Sequence, residues 1–123
     1  MSDNYFKTGL KNLKKIDGTA GSNVIENLSD IAPDLARYII EFAFGQIYER
    51  PGLSLQEREL LTLSSLLTAG GCEAQLQVHI NAALHVGIKE EKIIEAFLHC
   101  IPYTGFPKVL NAVAVAGQIF SGK

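Results

Sequence analysis

Apolar residues recur three and four positions apart along most of this chain, and no run of strand length alternates with a period of two. The pattern predicts an all-α protein of six to seven helices. A first, polar helix spans about Asn4 to Lys15, with Phe6, Leu10 and Leu13 as its apolar stripe, and Asp17-Gly18 closes it. A short segment from Asn23 to Leu28 follows, and Pro33 then opens an aromatic-rich helix running through Phe44, because proline suits a first helical turn. The loop Glu49-Arg50-Pro51-Gly52-Leu53 breaks the period. Ser54-Leu55-Gln56-Glu57 has the spacing of a capping box, so a helix runs from there to about Ala69, where Gly70-Gly71 ends it. Further helices are expected over Cys72 to Val86, Lys89 to Ile101, and Lys108 to about Phe120. The last is nearly all Ala, Val, Leu and Gly between Val109 and Gly117, so it should be buried on most sides, by the core or by a partner.

Composition narrows the class of protein. A chain of 123 residues can form one domain with a single core and needs no disulfide or metal to hold it. Its 13 acidic and 11 basic residues are not gathered into a basic run, which argues against nucleic acid as a partner. No stretch approaches the roughly 20 apolar residues of a membrane span, and Met1 to Lys7 lacks the apolar core of a secretory signal. A cytoplasmic protein with reduced thiols at Cys72 and Cys100 is the expectation. Because 47% of residues are hydrophobic, some apolar surface is expected to meet another subunit.

The segment with the most chemistry follows Gly71. Cys72, Gln75 and His79 fall on one stripe of a helix, offering a thiol, a carboxamide and an imidazole. An imidazole moves protons near neutral pH, and a cysteine in the first turn of a helix is placed for thiol chemistry. Acid/base and redox reactions are both open at this point. On the preceding helix, Glu59 has Leu63 and Leu66 at i+4 and i+7, so its carboxylate faces apolar surroundings where it could carry a proton or orient His79. The blander reading is a boundary residue paired with Arg58 or with a cation of a partner chain. His85 is rotated away from His79, Cys100 falls on an apolar face, and His99 shares a face with Tyr103 before a Gly-Phe-Pro turn. The three histidines lack the spacing of a metal site, and no metal is expected.

Several separated blocks then follow in a recognisable order. They are Arg58-Glu59-Leu60-Leu61-Thr62-Leu63, Gln75-Leu76-Gln77-Val78-His79, Ala83-Leu84-His85-Val86-Gly87, Glu95-Ala96-Phe97-Leu98-His99 and Tyr103-Thr104-Gly105-Phe106-Pro107. Together they resemble the carboxymuconolactone decarboxylase family, whose core would occupy about residues 30–120 of a single domain spanning 1–123. The resemblance implies the helical fold of alkylhydroperoxidase D-like proteins, self-association as a trimer or hexamer, and a small-molecule substrate. It also implies decarboxylation of a small lactone or related acid without a cofactor. On that reading His79 donates the proton, Glu59 tunes it, and Tyr103 and Cys72 complete the catalytic group. Arg58, Gln75 and His99 would bind substrate. The peroxidase branch of the same superfamily uses Cys-x-x-Cys-x-x-x-His, whereas this chain has Cys72-x-x-Gln75-x-x-x-His79. Lacking the second thiol, it could act as a peroxidase only through Cys72 alone. A small-molecule-binding oligomer without catalysis is the third reading.

Overall fold

A computed structural model describes residues 2–122, with the backbone alone for Ser2, Asp3 and Ala20. Among the described residues there is helix and turn but no strand. The elements are α1 (Ser2–Asp17), α2 (Thr19–Ser29), α3 (Pro33–Tyr38) continued by a π-helical stretch (Ile39–Ile47), α4 (Leu55–Ala69), α5 (Glu73–His85), α6 (Glu90–His99), the single turn α7 (Ile101–Thr104), and α8 (Phe106–Phe120). No described helix is long and apolar enough to cross a membrane. The chain forms two compact units, Met1–Leu55 and Gln56–Lys123.

In the first unit α1 packs along the π-helical stretch. The expected apolar stripe of α1 is only partly right. Leu13 and Ile16 are buried with Gly9, whereas Leu10 is 44% exposed. The reason lies in the backbone. A Cβ at Gly9 would overlap the carbonyl of Ile40, and one at Gly45 would overlap the carbonyl of Tyr5, so at each contact a glycine of one helix lies against the backbone of the other. Small residues thus set the buried face, and Leu10 is carried round to the outside. Bonding of the i→i+5 type puts residues four to five apart on one face of the widened helix, and Ile40, Phe44 and Gly45 are its buried members. The side-chain amide of Asn12 donates to the Phe44 carbonyl at 2.7 Å and to the Glu49 carboxylate at 3.0 Å. It thereby satisfies a carbonyl at the end of that helix.

In the second unit a continuous core joins Leu63 and Leu67 of α4, Leu76, Ile80 and Ala83 of α5, Ile93 and Phe97 of α6, and Val109, Ala112 and Ala116 of α8. Fully burying side chains such as Phe97, Leu63 or Ile80 stabilises the fold by roughly 1.5–3 kcal/mol each. Helix α8 lies closely along α5 and α6. Only one of its faces is buried within the chain, and Leu110 on another face is 64% exposed. Gly70 and Gly71 adopt φ values of +77° and +70°, a conformation that lets the chain reverse sharply between α4 and α5. At the far end of that hairpin, the Gln56 side chain donates to the Val86 carbonyl at 2.8 Å. Helices α4 and α5 therefore run in opposite directions.

Candidate active site

Four residues into α4, Glu59 is fully buried, and it is the single charged residue in that state among those described. Its position follows from the helical period: Leu63 lies one turn further on and is also fully buried, so the same stripe that builds the core carries the carboxylate inward. An isolated buried carboxylate would be very costly, and the fold answers with a partner. His79 Nδ1 lies 2.9 Å from Glu59 Oε1. With the carboxylate ionised, Nδ1–H donates to it, which places the other ring nitrogen, Nε2, on the far side of the imidazole from Glu59. The His79 side chain keeps 19% of its surface accessible, so it connects the buried acid to the outside of this unit.

This arrangement has a definite chemical capacity. A carboxylate bonded to Nδ1 fixes the ring's orientation and tautomer and stabilises the imidazolium when Nε2 is protonated. The pair can therefore hold a proton and deliver it at Nε2. The antiparallel course of α4 and α5 makes the meeting possible, since the residues lie 20 positions apart in sequence on neighbouring helices.

The other sequence-derived candidates distribute differently. Cys72 is half-buried at the N-cap of α5, and its thiol donates to the Gly70 carbonyl at 3.5 Å. Seven residues separate it from His79, which is about 10 Å along a helix axis, so thiol and imidazole share a side of α5 without touching. Gln75, one turn before His79, is exposed, and Arg58 beside Glu59 is half-buried. His99 and Tyr103 do share a face as their spacing predicts. Their rings lie 5.8 Å apart at 47°, both exposed, with Tyr103 at 81%. His85 is exposed and Cys100 buried, with its thiol 3.6 Å from the Ser64 hydroxyl.

Three polar contacts secure α4. Gln56 bonds to Val86 at the start of the helix. Near its end Lys108 Nζ donates to the Thr68 carbonyl at 2.8 Å, while the Thr68 and Thr104 hydroxyls lie 3.1 Å apart. A cation suits the C-terminal end of a helix, whose last carbonyls lack partners within it. All three join residues 30 or more positions apart, and none of these polar side chains belongs to a periodic signal in the sequence.

Comparison with known proteins adds a second line of argument. The carboxymuconolactone decarboxylase family profile matches residues 33–118, a range that includes all the site residues discussed above. A 4-carboxymuconolactone decarboxylase from Acinetobacter baylyi is 34% identical over 116 residues, covering 94% of this chain and 86% of the relative. A nitrosuccinic acid decarboxylase from Metarhizium robertsii is also 34% identical, over 114 residues, covering 89% of this chain and 77% of the relative. An uncharacterised 15.0 kDa protein from Paracoccus denitrificans is 25% identical over 95 residues, covering 76% and 71%.

Proposed function

This chain belongs to the carboxymuconolactone decarboxylase family, and from that premise we propose that it is a carboxy-lyase in which the Glu59–His79 pair supplies the proton that replaces carbon dioxide. The buried 2.9 Å contact between the two residues carries the reading. Its substrate is a small acid whose carboxylate sits where the electron pair left by its departure can be delocalised. In a carboxylated lactone the C–C bond to the carboxylate breaks, carbon dioxide leaves, and the electrons pass into the lactone carbonyl system. The resulting enolate collapses as carbon takes a proton from His79 Nε2. Glu59 holds the imidazolium before that transfer and the neutral ring after it. Solvent then returns the proton to His79, which completes the cycle without a redox change.

The two named decarboxylase relatives act on different acids, one a carboxymuconolactone and one a nitrosuccinic acid. Both acids yield a carbanion that an adjacent electron-withdrawing group can stabilise, so the same proton donor would serve either. Arg58 is the residue proposed to hold a second carboxylate, because a guanidinium can grip one through two parallel bonds. Gln75, His99 and Tyr103 are the proposed hydrogen-bonding residues around the substrate, and Cys72 is dispensable. The protein is proposed to work as an oligomer of identical chains in the cytoplasm. The exposure of Leu61, Leu98, Phe106 and Leu110 in the second unit supports association.

The test is turnover of 4-carboxymuconolactone and of nitrosuccinate, followed by release of carbon dioxide, in the wild type and in His79→Ala. Release from at least one acid and its loss in the variant are expected. Equal release by both proteins would remove His79 from the mechanism, and no release from either acid would remove the proposed substrate class.

A further inference from the structure

Helix α8 lies against α5 and α6 along its backbone, whereas α4 meets α5 through side chains. The relative placement of Glu59 and His79 therefore depends on whatever fixes α4 against α5. Apolar packing of Leu63 and Leu67 on Leu76 and Ile80 holds the helices together but tolerates small sliding movements, since it is not directional. A hydrogen bond does not tolerate them.

One directional contact lies a single turn from Glu59 on α4 and two turns from His79 on α5. Gln56 precedes Glu59 by three residues, so its exposed side chain leaves α4 one turn before the buried carboxylate and on an adjoining face. Its amide donates at 2.8 Å to the carbonyl of Val86, the residue that caps the end of α5 seven positions after His79. We propose that Gln56 is a positioning residue for the Glu59–His79 pair: by tying the first turn of α4 to the end of α5, it sets the register in which carboxylate and imidazole meet. The inference rests on the proton-donor reading of His79 for its catalytic consequence but not for its structural one. The Lys108 bond to Thr68 is the natural contrast. It is of the same length and kind, yet it lies nine residues beyond Glu59, about 13 Å along the helix, and ties α4 to α8.

The experiment compares Gln56→Met, which keeps the length and removes the donor without adding charge, with Lys108→Met. Each variant is examined by nitrogen-15 spectra of the His79 ring and by kcat and KM on whichever acid the wild type turns over. In Gln56→Met the His79 ring resonances shift and kcat falls about fivefold, the size of one net hydrogen bond, while KM stays within about twofold. In Lys108→Met the melting temperature falls and the His79 resonances stay in place. Unchanged His79 resonances in Gln56→Met, or equal shifts in both variants, would overturn the proposal. If the wild type turns over neither acid, the decarboxylase reading fails and the ring spectra alone still decide the role of Gln56.

Discussion

In residues 1–55 two helices approach closely because Gly9 and Gly45 bring no side chain to the contact, whereas in residues 56–123 α4 and α5 meet through side chains, a leucine and isoleucine core with the polar contacts of Gln56 and of Glu59 with His79 beside it. The first arrangement is dense, and among the described residues none of its charged side chains is buried as a whole. The second encloses a carboxylate completely and ties it to an imidazole that reaches the surface of the unit. Backbone-to-backbone packing leaves no room for a group that must bind or release a proton. Side-chain contact between helices leaves that room, and the cost is a buried charge that needs an accurately placed partner.

Four substitutions test this contrast. The largest effect is expected from His79→Ala, which removes the proposed proton carrier and should lower kcat for decarboxylation about 10³-fold while the helical circular dichroism is retained. Loss of helicity instead would recast His79 as a structural residue. Next comes Gly45→Ala, which drives a methyl group into the Tyr5 carbonyl. It should destabilise the first unit by about 3 kcal/mol, visible as a lower melting temperature. A wild-type melting curve would show that this contact is looser than described. Glu59→Gln should then lower kcat about 10²-fold, since an amide can still hold the ring but no longer stabilises an imidazolium. Finally, Cys72→Ser should keep decarboxylation within about twofold, because that thiol is bonded to Gly70 two turns away from the imidazole. A large loss there would return the thiol to the mechanism.

Much of the second unit was legible in the sequence because its signals are local. The leucines at i+4 and i+7 from Glu59 mark the inward face of α4, and Gly70-Gly71 marks the reversal after it, so α4 follows from the sequence, whereas Glu59 on that face reads equally as a buried group or a boundary residue and the structure buries it. The first unit was less legible. Leu10 has the right spacing for the core but lies outside, because the glycines of two helices, far apart in sequence, select a different face. The π-helical stretch is likewise invisible to a 3.6-residue period, since its buried residues Ile40, Phe44 and Gly45 follow a longer one. Around the site, the pairing of Glu59 with His79 could be anticipated from residue type and helix order. The bonds from Gln56 to Val86 and from Lys108 to Thr68 could not, because polar residues on exposed helix faces carry no periodic mark of their tertiary partners. Helix α8 is apolar nearly all round, yet one face alone is covered within the chain. Composition reports how much surface is apolar and not which chain covers it.

The proposed function requires Glu59 and His79 to act as one catalytic unit. A double-substitution cycle on kcat/KM measures it directly, using Glu59→Gln, His79→Ala and the two combined. If the carboxylate acts through the imidazole, adding Glu59→Gln to His79→Ala costs no more than about a further threefold. Losses that multiply, with the combined variant about 10²-fold below His79→Ala alone, would show that the two residues act independently and would contradict the account.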